Sequence, residues 1–285
     1  LSAGAPAGLL QTLLVETDAI TALIADDRVR AVTLPGSPRA GRAVAALAGA
    51  AMKPAVFELG GSDPYLVLAD ADLELAAEAC AQSRLTNSGQ SCIAAKRLIV
   101  VRSVRREFER LLLARIAVRR VGDPADPATD IGPLAREDLR THLHEQVQRS
   151  VRRGARLRLG GAPLPGPGFF YAPTVLTGVS PGMPAYDEEV FGPVAVIVPV
   201  RDTAEAIAVA NDTPFGLGAA IFTRSRRLAA QLAPQIEAGT VVINHYVRSD
   251  PALPFGGYGM SGFGREGGPE QLDAYLETKA IWISS

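Results

Sequence analysis

Short apolar runs alternate with helix-patterned stretches along almost the whole chain, and this alternation constrains the fold more than any other feature. VRAVTL from Val29 leads through PGSPRAG into RAVAALAGAAM from Arg42, and AVFEL follows, ending at Gly60 and Gly61. Runs of Val, Ile and Leu bounded by turn residues read as buried strands, and the Ala-rich or amphipathic stretches between them read as crossover helices. That order is βαβ, the grammar of a parallel sheet, and it predicts an α/β fold. Earlier in the chain the same pattern predicts a strand at LLQTLLV from Leu9 and a helix at DAITALIADD. Later it predicts helices at Asp72–Arg84, SVRREFERLLLARI and REDLRTHLHEQVQRSVRRG, with a strand at RLIVV from Arg97. The last third predicts VFGPVAVIVPV, GAAIFT and TVVIN as strands, with TAEAIAVAND and SRRLAAQLAPQIEAG as helices between them.

The chain has 285 residues, of which 47% are hydrophobic, enough for a sizeable core and for two lobes. Lys plus Arg is 29 and Asp plus Glu is 30, a net charge of −1. No basic field exists to gather nucleic acid or an anionic membrane surface, so neither partner is expected. The apolar runs fall far short of the roughly 18 residues that suggest a membrane span. Two cysteines cannot build a multi-bridge framework and fit a reducing compartment, which makes the cytoplasm the expectation. LSAGAPAGLL has neither the charged start nor the long apolar block of a signal peptide.

Three features carry candidate chemistry. The turn GSPRAG, with Gly36 and Gly41, places a helix N-terminus where an anion could rest, although tight turns need glycine for conformational reasons as well. Glu58 ends a buried strand, so either a basic partner satisfies its charge or its pKa rises toward the range of a general base. Cys92 closes the turn-prone NSGQSC in front of a strand; it is either a nucleophile or an inert loop thiol. Cys80 makes the contrast, since it lies in an Ala-rich helix where cysteine serves as a small apolar residue. His142 and His144 stand two apart on a helix and face different ways, and no Cys/His cluster has metal spacing, so no metal is expected.

FELGGSDP, NSGQSC, EEVFGPV and PFGGYGMSGFGRE, in that order, resemble the aldehyde dehydrogenase superfamily across nearly the whole chain. The wording ELGGSDP, GQSCIAAKR and GPLAREDLR is most similar to the succinate-semialdehyde dehydrogenase branch. The resemblance implies a partial Rossmann-type cofactor domain followed by an α/β catalytic domain, with residues 1–59, 60–258 and 259–285 as the end of the cofactor domain, the catalytic domain and a return segment with an oligomerisation tail. It implies Cys92 as nucleophile and Glu58 as general base, with NAD or NADP as cofactor. Gly36, Ser37, Gly41 and Leu59 fall where the family contacts that cofactor, and Glu189 and Phe191 match the residues that hold the nicotinamide ribose and the nicotinamide. Phe255 matches a residue beside the substrate tunnel, and Arg248 is the candidate anchor for a substrate carboxylate, with Asp250 two residues on as an opposing charge.

Departures from the family pattern are equally legible. Leu139 and His142 stand where relatives carry a Gln and a Lys that touch the cofactor, Pro35 replaces the usual Thr of the pyrophosphate turn, and Gly259 replaces a Lys. Relatives carry a longer N-terminal half with most of the dinucleotide sheet and an oxyanion-hole Asn. The expected activity is oxidation of an aldehyde to the acid in a homo-oligomer, a dimer or tetramer. The alternatives are a non-catalytic fragment or scaffold, and a cysteine thioesterase without redox activity. The closing LETKAIWIS alternates like an edge strand used in subunit contacts.

Overall fold

Strand β1 (Val32–Pro35) pairs in parallel with β2 (Ala55–Glu58) across the crossover helix α2 (Pro38–Ala50), which α1 (Ala19–Ala25) precedes. The computed structural model describes residues 4–284. This small sheet does not end at β2. The return segment lies along its other edge, where the Phe57 N–H donates to the Phe263 carbonyl (2.8 Å) and the Leu59 N–H to that of Ser261 (3.0 Å).

A second sheet holds the remainder. Its strands β3 (Pro64–Val67), β4 (Arg97–Val101), β5 (Arg156–Leu159), β6 (Thr174–Thr177), β7 (Val194–Val200), β9 (Gly218–Phe222) and β10 (Thr240–Ile243) lie in the order β10-β9-β3-β4-β7-β6-β5, while β8 (Phe215–Gly216) pairs separately with β11 (Tyr258–Gly259). Within the seven-stranded sheet the pairs are parallel except β5 with β6, and the separate β8–β11 pair is antiparallel. Alternate residues of each central strand face opposite layers, as the period of two requires. Tyr65 and Val67 meet α3 (Leu73–Leu85) and α4 (Arg102–Ala117) on one side. Leu66 and Leu68 meet the layer of α5 (Glu137–Arg152), α6 (Pro184–Asp187), α7 (Thr203–Asn211) and α8 (Arg226–Leu232) on the other. A last short helix, α9 (Glu270–Asp273), follows the return segment. Strands β3, β4 and β9 are buried along their whole length, and burial on both faces is why β4 and β9 read as largely apolar runs.

The α/β reading holds, with corrections at the two ends. LLQTLLV is not a strand: residues 9–15 pair with nothing among the described residues, and Leu10 and Leu14 are 92% and 98% exposed. LETKAIWIS likewise forms no strand, with Trp282 93% exposed. A strand needs a neighbour to take its N–H and C=O groups, and apolar composition cannot supply one. SRRLAAQLAPQIEAG is helical only as far as Leu232, with a 3₁₀ turn after it at Pro234. No helix among the described residues is long and apolar enough to cross a membrane.

One buried polar chain ties the two layers to the loop that carries Cys92. The Ala95 N–H donates to Ser83 Oγ (3.0 Å), Ser83 Oγ shares a hydrogen with the Tyr65 hydroxyl (2.9 Å), and that hydroxyl accepts the Val247 N–H (2.8 Å). Tyr65 is fully buried, so removing its hydroxyl strands two groups away from water. Tyr65→Phe should destabilise the protein by roughly 1–3 kcal/mol in denaturant melts, where an unchanged midpoint contradicts this.

Candidate active site

The Cys92 loop leaves α3 through a turn that ordinary residues resist. Asn87, Ser88 and Gly89 lie in succession in the left-handed region, at φ 51°, 57° and 76°. A Cβ on Gly89 would sit 2.2 Å from the Gly192 carbonyl oxygen, so the approach requires glycine. Side chains then staple the turn to the segment before α5. Ser88 Oγ donates to the Gly132 carbonyl (3.0 Å), and Gln90 Oε1 accepts the Ala135 N–H (2.8 Å). From beneath, the buried Arg84 donates to the Gly89 carbonyl (2.6 Å) and the buried Lys96 to those of Ser91, Cys92 and Ala94 (3.1, 2.8 and 3.3 Å).

Cys92 emerges half-buried. Burial pushes its thiol up, and the charges of Asp63, Glu58 and Glu189 push the same way, while the Lys96 ammonium opposes them. Cys80 is wholly buried in α3, and its thiol is pushed up by burial alone. Glu58 closes β2 at 6% exposure, and neither of its carboxylate oxygens has a hydrogen-bond partner among the described residues. Burial first, then the charge of Glu266, raises its pKa from 4.5 to about 7, with the Arg265 guanidinium opposing the rise. The carboxyl is therefore neither tightly paired nor fully ionised at neutral pH.

Glu189 is fixed from several sides. Its Oε1 accepts the Gly61 N–H (3.0 Å) and lies 3.7 Å from Lys96 Nζ, while Gln146 of α5 donates to its carbonyl (3.2 Å) and to the Glu188 carboxylate (2.9 Å). A Cβ at residue 60 would fall 2.3 Å from Glu189 Oε2, so Gly60 leaves the space this carboxylate needs.

Gly36, Ser37, Glu58, Leu59, Cys92, Glu189 and Phe191 all border one cleft of about 960 Å³. Leu139 and His142 border it from α5, whereas His144 turns away to the Tyr171 hydroxyl (3.1 Å). Three expected residues lie elsewhere. Gly41 is buried one turn into α2, where a Cβ would meet the Leu59 side chain at 2.5 Å, so it seats the helix on the strand end and does not face the cleft. Phe255 forms a backbone bridge with Glu266 and does not border the cleft. Arg248 stands in an exposed loop and does not border it either. Sequence reasoning passed over Lys96, Arg265, Glu266 and Gln146. Only Lys96 left a signal, a second charge next to Arg97 at the front of the otherwise apolar strand RLIVV. No group of acidic, His and Cys side chains among the described residues has the arrangement of a metal site.

The raised Glu58 pKa has a sign for stability. A carboxyl whose folded pKa exceeds its unfolded value contributes stability that is complete below the unfolded value near 4.5 and lost as pH rises through about 7. Glu58→Gln removes that loss. The variant should gain on the order of 2–3 kcal/mol over the parent between acidic and alkaline pH. Melting curves at pH 4.5 and 8.5 read it, and a constant difference between the two proteins contradicts it.

A model of the aldehyde dehydrogenase family matches residues 1–281. The chain is 46% identical over 280 residues to a succinate semialdehyde dehydrogenase of Escherichia coli described as NAD(P)+-dependent, covering 98% of this chain and 61% of that protein. It is 47% identical over 282 residues to an NADP(+) succinate-semialdehyde dehydrogenase of Mycobacterium avium, covering 99% of this chain and 60% of that one. Among solved structures, succinic semialdehyde dehydrogenase from Streptococcus pyogenes in complex with NADP+ superposes with a TM-score of 0.95 at 38% identity, over 100% of this chain and 62% of that one. The chain thus spans about three fifths of the length of these relatives. With the ordered motifs, the sheet topology and the cleft all in agreement, this chain belongs to the aldehyde dehydrogenase family.

Proposed function

We propose that this chain carries the catalytic centre of an NAD(P)-dependent enzyme that oxidises an aldehyde to its carboxylic acid, with succinate semialdehyde as the first substrate to test. The observation that carries the reading is the shared cleft. A half-buried thiol and a buried, unpartnered carboxyl with a pKa of about 7 border the same space.

The residues present fit the nicotinamide end of the cofactor. Glu189 holds its carboxylate at the cleft with room left by Gly60, Phe191 offers an aromatic wall, and Gly36 and Ser37 bring the first turn of α2 to the same space. Bound there, a nicotinamide nucleotide would supply the acceptor for a hydride. Everything else falls to the chain itself. The Cys92 thiolate adds to the aldehyde carbon, forming a C–S bond and sending the carbonyl electron pair to oxygen. After that carbon has lost hydride, the Glu58 carboxylate takes a proton from water, whose oxygen adds to the thioester carbon. The C–S bond breaks, the thiolate returns to Cys92, and the acid leaves. A carboxyl with a pKa of about 7 suits the proton transfer, since it is partly ionised at neutral pH and more basic than an ordinary carboxylate.

The choice of a semialdehyde rests on the names of the relatives; neither Phe255 nor Arg248 adds to it from its present place. We read residues 1–59 as the end of a cofactor domain, 60–258 as the catalytic domain and 259–285 as the return segment and tail. The exposed Ile281, Trp282 and Ile283 support a homo-oligomer. The need for a free Cys92 thiol supports a reducing compartment such as the cytoplasm.

Absorbance of reduced cofactor, followed with succinate semialdehyde and with a neutral aldehyde of similar length, tests the reading. Cys92→Ala should abolish the signal, and Glu58→Gln should lower turnover about 10²- to 10⁴-fold. Turnover that survives Cys92→Ala overturns the assignment.

A further inference from the structure

Lys96 has every mark of an expensive residue and no part in the chemistry above. It is 2% exposed, and a buried ammonium is costly unless it is paired and hydrogen-bonded. Its Nζ has three protons, and the three carbonyls it meets, those of Ser91, Cys92 and Ala94, all belong to the nucleophile loop. On its other side stands Glu189 Oε1 at 3.7 Å, and that same oxygen takes the Gly61 N–H. The circuit closes through packing, because a Cβ on Gly61 would lie 2.6 Å from the Cys92 carbonyl oxygen. One cation thus joins the thiol loop, the Gly61 backbone beside Glu58, and the carboxylate at the cofactor side of the cleft.

We propose that Lys96 is a positioning residue that fixes the Cys92 loop by its carbonyls and, through its ion pair with Glu189, couples the charge state of that carboxylate to the reactivity of the Cys92 thiol. The proposal deepens the reading of Cys92 as nucleophile and rests on it for its role in turnover. The charged groups that face Cys92 are Lys96, Asp63, Glu58 and Glu189, and those that face Lys96 are Arg84, Glu189, Asp63 and Cys92. Lys96 is the group among the first four that favours the thiolate; the three carboxylates oppose it. Removing the cation and removing its anionic partner must therefore move the thiol in opposite directions, which a purely structural role for either residue does not predict.

The test is the pH dependence of iodoacetamide alkylation at Cys92, read by peptide mass so that the buried Cys80 does not contribute, and it needs neither aldehyde nor cofactor. In Lys96→Met the alkylation profile should shift to higher pH, with alkylation about tenfold slower near pH 8, one pKa unit being a factor of ten. Lys96→Arg should restore much of the rate. In Glu189→Gln, which leaves the cation in place and relieves its neutralisation, the profile should shift to lower pH. A folded Lys96→Met with the parent profile overturns the proposal. If Lys96→Met does not fold, Glu189→Gln decides alone: a downward shift supports the coupling, and an unchanged or upward-shifted profile overturns it. A protein that fails to oxidise any aldehyde yet shows the opposed shifts refutes the proposed function and leaves this coupling standing.

Discussion

A loop that carries a half-buried thiol toward the interior has carbonyls that no neighbouring strand takes, and here buried cations take them. Arg84 and Lys96 between them satisfy the carbonyls of Gly89, Ser91, Cys92 and Ala94. Buried backbone polar groups left unpaired cost about as much as lost hydrogen bonds, so without these donors the loop would be driven toward solvent or rearranged. Burial works against the charged forms of both cations and lowers their pKa values, and the Glu189 and Asp63 carboxyls oppose that shift. Placement of the thiol and the electrostatics of the cleft are consequences of one solution to one packing problem.

The opposite treatment of Glu58 follows from the same economy of partners. Glu189 is pinned by an N–H donor and an ammonium, whereas Glu58 sits deeper with no hydrogen bond to either oxygen among the described residues. Two carboxyl groups in one cleft thereby meet different surroundings, one hydrogen-bonded and beside an ammonium, the other buried and poised between its two forms. The return segment contributes to this poise. It hydrogen-bonds along β2, and Glu266 and Arg265 then press on Glu58 with opposite signs. Residues more than two hundred positions apart in sequence fix the basicity of one carboxyl.

Much of this was legible in the sequence, for reasons that also explain what was not. RLIVV and GAAIFT announced strands because both faces of a central parallel strand are buried, TVVIN announced the edge strand β10 by its β-branched run, and in the structure Asp72 caps α3 by taking the Leu75 N–H. The strand at Pro64–Val67 went unread because it is short and begins with proline, which reads as a turn until a neighbour pairs with it. LLQTLLV misled in the other direction, having apolar composition but no partner to cover it. In the site, Cys92, Glu58, Glu189 and Phe191 were legible through short motifs whose order survives folding. Lys96 looked like one more surface charge at a strand start, since its burial depends on a loop that doubles back over it. Phe255 was placed by the family match and Arg248 by the charge a substrate carboxylate would need, and neither borders the cleft.

In the proposed function Cys92 and Glu58 act in sequence, the thiol forming a thioester and the carboxyl resolving it. The most direct measurement is the intact and peptide mass of Glu58→Gln after rapid quenching with succinate semialdehyde and NADP. An acyl group should appear on the peptide that carries Cys92, accumulating in the variant and transient in the parent. No adduct, or an adduct on any other residue, would contradict it.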